Sequence, residues 1–167
     1  MKNYCAFETG MGFIALAMED GKLTHSTLPK PSRDEAIRSI EAGLAPGCVE
    51  DTEAFGDLPS RLVRYCDGER VDFSDVSVDL ASFGPFHAAA MLAAQRVPYG
   101  GLVTYRELAK MAGSERACRA AGSAMANNRC PIIVPCHRVI ASGGEIGGFS
   151  LGLEWKRTFL NLEGVNI

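Results

Sequence analysis

The pattern of the sequence changes at Pro85, and this change limits the folds that the chain can adopt. Before Pro85, apolar and polar residues alternate over short runs, as in strands; after it, apolar residues recur at helical spacing. Residues 1–85 carry 8 Lys/Arg and 15 Asp/Glu, a net charge of −7, whereas residues 86–167 carry 9 and 5, a net charge of +4. We therefore predict an α/β (α+β) fold with an N-terminal α+β domain over residues 1–80, a linker over 81–85 and a mostly helical C-terminal domain over 86–167.

The first part contains short runs with the composition of strands. Three of them predict a small antiparallel sheet: Tyr4–Glu8, Phe13–Met18 and Leu23–Leu28. The segment 19–22, with Asp-Gly at its centre, predicts the turn between the last two. Ser32 stands at capping-box spacing before Glu35 and predicts a helix. The remaining expectations are a helix over Pro59–Cys66, a strand over Val76–Leu80 and a surface loop over Leu44–Asp57.

The second part contains a pair of short helical segments. Thr104 and Glu107 have capping-box spacing and predict a helix that runs through Met111. The segment 112–114 predicts a tight turn, and Glu115–Ala126 predicts a second helix. This arrangement is that of a helix-turn-helix, which in a positively charged domain indicates contact with a polyanion such as DNA.

The second of these helices has an unusual surface for a recognition helix. It carries Arg116 and Arg119, but most of its other residues are Ala, Gly, Ser or Cys. Reading of base edges in the major groove needs longer polar side chains, so the small surface favours close approach to a narrower groove. The alternative is a seam of small residues packed against another helix.

The apolar run Pro131–Ile140 contains three consecutive reactive or charged side chains. Cys136 supplies a thiol, His137 an imidazole and Arg138 a guanidinium, and a buried strand has little structural use for them. A thiolate is the nucleophilic form of cysteine, and a neighbouring base or cation is the usual means of forming it. Because adjacent side chains on an extended strand point to opposite sides, a bend or a bridging water has to connect the imidazole with the sulfur.

The cysteines and the apolar runs indicate the compartment. The six cysteines form no CxxC pair, which favours free thiols in a reducing environment. Cys5, His25 and His87 leave a metal site open as an alternative, but their irregular spacing favours ordinary buried groups, and we expect no metal. No run approaches the roughly 18 apolar residues of a membrane span, and the N-terminus lacks a signal-peptide core. We expect a cytoplasmic protein with no membrane partner.

Residues 80–165 contain an ordered set of short motifs. They are Thr104-Tyr105 with Ala109, Arg119–Met125, Asn128, Pro131–Ile140, Gly148–Ser150 and Leu160–Gly164. In order and separation this set resembles the 6-O-alkylguanine-DNA alkyltransferases, the methylated-DNA–protein-cysteine methyltransferases. The resemblance implies direct-reversal DNA repair, in which the alkyl group of a flipped 6-O-alkylguanine in duplex DNA moves irreversibly to the protein. It also implies that each molecule acts once and needs no cofactor.

The resemblance assigns the chemistry to four residues. Cys136 matches the cysteine that accepts the alkyl group, and His137 matches a general base that acts through water. Glu163 matches the carboxylate that orients this imidazole. Tyr105 matches a phenol that donates a hydrogen bond to the base.

The resemblance also indicates the base pocket. The backbone N–H of Ser150 is expected to face the guanine oxygen, and the carbonyl groups of Cys136 and Val139 are expected to accept from the guanine amino group. Phe149 stands where a tyrosine is common, and Leu151 where a small residue is usual. From this pair we predict a preference for methyl over larger alkyl groups.

Further positions match residues that bind DNA or support the site. Arg119 matches an arginine that takes the place of the extruded base, and Asn128 one that braces the turn around the nucleophile. Arg138 is expected to make a structural or a phosphate-side contact. The other expected DNA contacts are Thr104, Arg116, Ala120, Gly122 and Ser123. The expected partner is double-stranded DNA with an alkylated guanine, bound by a monomer with no obligate protein partner.

Three other classes of function compete with this interpretation. A damage sensor that binds alkylguanine without reacting would lack the acceptor cysteine, which is present here as Cys136. A transcriptional regulator would need base-reading side chains on the second helix. A cysteine hydrolase could use Cys136 and His137, but it would require an oxyanion hole and would turn over repeatedly.

Overall fold

The computed structural model describes every residue from Met1 to Ile167 and divides into two compact units. Unit 1 comprises Met1–Val71, Asp75–Asp79 and Arg129–Pro131; unit 2 comprises Asp72–Ser74, Leu80–Asn128 and Ile132–Ile167. Both helices and strands are present, which confirms the mixed fold class. The division into domains 1–80 and 86–167 with a linker at 81–85 stays a prediction.

Unit 1 is built on a four-stranded sheet in the order β3-β2-β1-β4. The strands are β1 (Lys2–Thr9), β2 (Gly12–Glu19), β3 (Lys22–Ser26) and β4 (Val49–Glu50). The first three are antiparallel, as predicted, and β4 pairs in parallel with β1. Between β2 and β3, Asp20 and Gly21 both have positive φ, at 50° and 78°. This is the backbone of a type I′ turn, whose twist matches that of the strands it joins.

Two helices complete unit 1. Helix α1 (Arg33–Glu41) begins at the predicted cap, where the Ser32 hydroxyl oxygen accepts from the Glu35 N–H at 3.2 Å. Its buried residues Ala36 and Ile40 pack on the β2 alanines Ala15 and Ala17. Helix α2 (Leu58–Cys66) lies where the sequence predicts it and contacts β1.

Two expectations for unit 1 are wrong. Val76–Leu80 forms no strand, because this segment makes only an isolated bridge, between Val78 and Leu23. Leu44–Asp57 is not only a loop, since it contains β4 and a 3-10 turn at Glu53–Phe55. Both differences depend on partners that are distant in the sequence, which local patterns do not report.

Unit 2 is mostly helical, as predicted. Its elements are α3 (Pro85–Gln95), β5 (Val103–Thr104), α4 (Tyr105–Met111), α5 (Cys118–Ala126), β6 (Val139–Ile140) and α6 (Leu153–Leu162). The first of them starts inside the expected linker, because Pro85 fits the first position of a helix. The two short strands pair in parallel. No helix of either unit combines the length and the apolar character needed to cross a membrane.

The helix-turn-helix forms with a longer connection than predicted. The capping box of Thr104 and Glu107 is present on α4. The prediction that the second helix starts at Glu115 is wrong, since α5 begins at Cys118. Residues 114–117 close a separate turn with a hydrogen bond from the Ala117 N–H to the Ser114 carbonyl. Arg116 therefore lies in the connection and not on the helix.

The apolar run Pro131–Ile140 is not the extended strand that we expected. It turns at residues 131–133, forms a 3-10 turn at Cys136–Arg138 and is a strand only in β6. Ile132 has φ of 72°, a conformation that β-branched residues rarely adopt. The prolines of this run also lack the N–H groups that a sheet needs. The bend required between sulfur and imidazole is thus part of the backbone.

Candidate active site

A cavity of about 400 Å³ in unit 2 contains the sulfur-bearing residue of the predicted site. Its walls come from α4, from α5, from the 3-10 turn that we call the Cys136 turn (Cys136–Arg138) and from the loop before α6. The lining residues are Tyr105, Gly122, Met125, Ala126, Cys136, Gly148, Phe149 and Ser150. This combination of a buried thiol with aromatic and small residues suits a flat ring.

Cys136 lies at the start of a tightly held turn. Its side chain and backbone are 2% exposed. The Val134 carbonyl accepts from the Cys136 N–H and from Asn128 Nδ2, both at 2.8 Å. Burial raises the pKa of the Cys136 thiol to about 11, although a hydrogen bond from Asn128 opposes the rise. The resting thiol is therefore protonated, and a base has to remove its proton before it can attack.

His137 and Glu163 form a buried pair beside this turn. The imidazole Nε2 lies 2.7 Å from Glu163 Oε1, and the His137 ring packs against Phe159 with centroids 5.3 Å apart. Burial lowers the pKa of His137, Glu163 acts in the opposite direction, and the Arg138 and Lys156 charges lower the pKa further, so the imidazole is neutral. Because a carboxylate only accepts, we assign the ring proton to Nε2, which leaves a lone pair on Nδ1. A neutral imidazole with this tautomer is a competent base.

Arg138 pairs with the same carboxylate. Its Nη2 and Nε lie 2.8 and 3.0 Å from the Glu163 oxygens, and its Nη1 donates to the Val97 carbonyl at 2.6 Å. Burial alone would raise the pKa of Glu163, but hydrogen bonds from His137 and Arg138 hold it well below its ordinary range. A guanidinium buried in this way is not available to a phosphate, so the contacts fit the structural role and not the phosphate-side contact.

Tyr105 and the loop at 148–150 form the opposite part of the cavity. The Tyr105 hydroxyl donates to the Gly148 carbonyl at 3.3 Å, and the Ser150 hydroxyl donates to the Ala126 carbonyl at 3.3 Å. Burial raises the pKa of Tyr105, and the neighbouring Cys136 raises it further. The phenol therefore keeps its proton and can act as a hydrogen-bond donor to a ligand.

The expected DNA-contacting residues divide into exposed and partly buried ones. Arg116, Arg119 and Ser123 are exposed, whereas Thr104, Ala120 and Gly122 are partly buried. The Thr104 hydroxyl oxygen is already used by the α4 cap, where it accepts from the Glu107 N–H. The buried residues of α5 are Ala121, Ala124 and Met125, and α5 contacts α3 and α4. Small residues thus serve both helix packing and an exposed surface.

Two predicted pocket residues do not line the cavity. Val139 is fully buried, and its carbonyl accepts from Lys156 Nζ at 2.7 Å. Leu151 is 38% exposed and lies outside the lining, so it does not restrict the space for the alkyl group, contrary to its expected part in the preference for methyl groups. Of Phe149 and Leu151, only Phe149 lines the cavity.

Lys156 is a residue of the site that sequence reasoning missed. It is wholly buried, and Nζ donates to the carbonyl groups of Val139 and Gly148. The sequence feature that could have revealed its burial is helical spacing. One face of the helix follows the i, i+3, i+4, i+7 pattern of buried positions, and it consists of Lys156, Phe159, Leu160 and Glu163. A charged residue within that pattern indicates a buried charge.

Comparisons with known proteins identify relatives of this chain. Residues 85–165 match the family model for the DNA-binding domain of 6-O-methylguanine DNA methyltransferase. The chain is 33% identical to a methylated-DNA–protein-cysteine methyltransferase of Mycolicibacterium paratuberculosis, over 98% of this chain and 93% of the relative. It is 38% identical to one of Methanosarcina acetivorans, over 96% and 97%.

A solved structure extends the comparison to the fold. The crystal structure of Mycobacterium tuberculosis OGT in complex with DNA has a TM-score of 0.76 and 31% identity, over 97% of this chain and 93% of that one. The identity and the coverage of the sequence relatives are sufficient to assign the family. This chain belongs to the methylated-DNA–protein-cysteine methyltransferases.

Proposed function

We propose that this protein repairs alkylated DNA by moving the alkyl group of 6-O-alkylguanine onto Cys136. The observation that carries the proposal is the position of Cys136, which opens into an apolar cavity beside a buried His137–Glu163 pair in a chain of this family. A relative has been crystallised in complex with DNA, which supports duplex DNA as the partner.

The reaction begins with loss of the thiol proton. His137 accepts this proton through a water molecule, and Glu163 stabilises the resulting imidazolium. The sulfur then attacks the alkyl carbon in line with the C–O bond. The new S–C bond forms as the C–O bond breaks, and the electron pair of that bond leaves on the guanine oxygen.

Stabilisation of the leaving guanine is the second task of the site. Negative charge develops on the guanine oxygen, which the Ser150 N–H faces, while the Tyr105 phenol donates to the base. The Tyr105 hydroxyl has to exchange its Gly148 acceptor for the base. The carbonyl groups of Cys136 and Val139 accept from the guanine amino group and orient the ring. Asn128 keeps the Cys136 turn in place.

The base enters this cavity only after it leaves the DNA stack. Arg119 is exposed on α5, next to the lining residue Gly122, and its planar guanidinium can occupy the space of the flipped base. Thr104, Arg116, Ala120 and Ser123 contact the backbone around the lesion. Phosphate contacts hold DNA without reading its sequence, which suits a lesion that occurs anywhere.

The product determines how often each molecule works. A thioether has no good leaving group, so the alkyl group stays on Cys136 and each chain acts once. The cysteine, the base and the DNA-facing helix all belong to one chain, and we therefore propose that it acts as a monomer. We also propose that it acts in the cytoplasm. A cysteine hydrolase would release its product and turn over, and a damage sensor would bind the lesion without covalent change.

The first prediction is a stoichiometric gain of mass. After incubation with a duplex that contains one 6-O-methylguanine, the intact protein is expected to gain one methyl group, and Cys136→Ala none. Cys118→Ala, which removes a thiol of intermediate exposure, serves as the control and is expected to react fully. Binding of the lesion without any mass gain in the wild type would contradict methyl transfer and favour a damage sensor.

The second prediction concerns the size of the alkyl group. The cavity of about 400 Å³ beside Cys136 and Phe149 has to hold the guanine as well as its alkyl group, and we therefore expect methylated guanine to react faster than benzylated guanine. Single-turnover rates with the two duplexes measure this preference. Because Leu151 does not line the cavity, Leu151→Gly is expected to leave the ratio of the two rates unchanged. Equal rates on both substrates would contradict the preference.

A further inference from the structure

His137 is a buried base that has to carry a positive charge during the proposed reaction. It is 1% exposed, so bulk water does not solvate the imidazolium that forms when the ring accepts the thiol proton. A charge that is buried without compensating groups is costly. The groups packed around His137 therefore have to stabilise this cation.

The charged groups around His137 supply only part of this stabilisation. Glu163 favours the imidazolium, whereas the charges of Arg138 and Lys156 disfavour it, and the adjacent Cys136 is neutral until its proton leaves. The negative charge of Glu163 is also shared, because Arg138 donates to both carboxylate oxygens. One carboxylate thus faces two permanent cations and the imidazolium. An uncharged group that attracts a cation suits this environment better than a further charge.

An aromatic ring of α6 lies against the imidazole. The centroids of the His137 and Phe159 rings are 5.3 Å apart, and their planes are inclined by 48°. Phe159 is wholly buried, so water does not compete for contact with its ring. Aromatic rings attract a cation within about 6 Å of the centroid, and most strongly where water is excluded. The imidazole of His137 lies within this distance.

A second ring of α6 packs on Phe159. Trp155, the single tryptophan of the chain, lies four residues earlier on the same face of the helix. The Trp155 and Phe159 rings stack with centroids 5.4 Å apart and planes inclined by 25°. Trp155, Phe159 and His137 thus form a column of three rings. Contacts with the other two rings restrict rotation of the central phenyl group.

We propose that Phe159 is a positioning residue for alkyl transfer, whose ring stabilises the His137 imidazolium by a cation–π interaction and so favours removal of the Cys136 proton. This inference rests on the proposed function and adds a residue that acts through its base. The phenyl ring attracts the charged imidazole more strongly than the neutral one. An interaction that strengthens as the reaction proceeds lowers the barrier, whereas one of constant strength does not.

The test separates the π face of Phe159 from its packing. Phe159→Leu keeps a large apolar side chain but removes the aromatic face. Fluorination is the finer change, because fluorine withdraws electron density from the ring face and alters the shape little. Phenylalanine with one, two or three ring fluorines is placed at position 159 by amber suppression. The same substitutions at Phe55, a buried phenylalanine of unit 1, are the control.

Two rates report the removal of the thiol proton. The first is single-turnover methyl transfer from a duplex that contains one 6-O-methylguanine. The second is iodoacetamide labelling of Cys136 in the absence of DNA, measured by tandem mass spectrometry over a range of pH. At neutral pH, this labelling depends on the molecules in which His137 has taken the proton. Near the thiol pKa of about 11, hydroxide removes the proton and His137 is not required.

Phe159→Leu is expected to lower both rates at neutral pH by about tenfold, which corresponds to a decrease of about one unit in the pKa of His137. The fluorinated forms are expected to slow in the order of their fluorine count. Near the thiol pKa, the labelling rates of all forms are expected to converge on that of the wild type. The Phe55 variants are expected to keep the wild-type rates at every pH.

Rates that do not follow the fluorine count would overturn the inference, and this series remains informative if Phe159→Leu does not fold. A loss of labelling that persists at high pH would also overturn it, because general damage to the site lowers reactivity at every pH. The labelling series involves no DNA. A wild type that labels normally but gains no methyl group from DNA would refute the proposed function. Methyl transfer with no trend along the fluorine series would refute only the role of Phe159.

Discussion

Glu163→Gln is expected to lower the free energy of unfolding by about 3–5 kcal/mol and to abolish detectable methyl transfer. The carboxylate lies in the interior and accepts from His137, from Arg138 and from the Gly100 N–H at 3.1 Å. A neutral amide leaves the Arg138 guanidinium buried without a counter-charge. The same change removes the group that stabilises the His137 imidazolium. Urea unfolding and intact-protein mass measure the two effects.

A second substitution separates stability from chemistry. In Glu163→Gln with Arg138→Met, the unpaired cation is gone, and we expect much of the lost stability to return while methyl transfer stays absent. Glu154→Gln removes an exposed carboxylate from the first turn of α6 and is the matched control. If Glu163→Gln lowered the free energy of unfolding no more than Glu154→Gln, the prediction that the buried Glu163–Arg138 ion pair is needed for stability would be contradicted.

Arg119→Ala is expected to slow methyl transfer on duplex DNA by about 100-fold, because the unstacking of a base costs a few kcal/mol and the guanidinium offsets part of that cost. The variant is expected to act on a methylated guanine in single-stranded DNA at a rate close to that of the wild type. Single-turnover kinetics at saturating protein measure both rates. Their ratio isolates base flipping from the chemistry at Cys136.

Arg116 provides a comparison for this experiment. It lies in the connection before α5. Arg116→Ala is expected to weaken DNA binding and to lower the slope of the logarithm of affinity against the logarithm of salt concentration by the equivalent of about one phosphate contact. Its rate at saturation should fall much less than that of Arg119→Ala. Equal slowing of duplex and single-stranded substrates by Arg119→Ala would contradict a role in base flipping.

Elements that depend on neighbouring residues could be predicted from the sequence. The Asp20–Gly21 turn follows from two residues that tolerate positive φ, and the caps at Ser32 and Thr104 follow from side chains that accept from an N–H three residues later. Each of these contacts is closed within a few residues of the chain. Local chemistry therefore determines the structure there, whatever the rest of the protein does.

Elements that depend on distant partners were not predictable. Helix α5 starts only at Cys118 because residues 114–117 form a turn of their own, and Glu115, expected to open the helix, instead pairs with Arg106 of α4 at 2.9 Å. The positive φ of Ile132 has no signature in the sequence, since Ile strongly disfavours it. The strand expected around Cys136 does not form for this reason, because the order of apolar and polar residues does not reveal a backbone turn.

The site was predictable where the family resemblance supplied it and less so elsewhere. Cys136, His137 and Glu163 come together as the motifs imply, although 26 residues separate the last two in the sequence. Lys156 was missed because a lone lysine in a helix is usually exposed, and its burial depends on how the loop at 148–150 folds over it. The sequence therefore indicates which groups lie together at the candidate site better than it indicates the electrostatic environment around them.

Helix α6 carries its two buried charges against its own macrodipole. Lys156 is the fourth residue from the positive N-terminal end, and Glu163 caps the negative C-terminal end. Exchange of these signs would suit the macrodipole but would place a second buried cation against Arg138. A redesign that considers only the charges of the helix would therefore replace Glu163 and lose the buried contacts that stabilise the fold. The position of Glu163 at the end of α6 is thus set by its contacts with His137 and Arg138 and not by the helix that carries it.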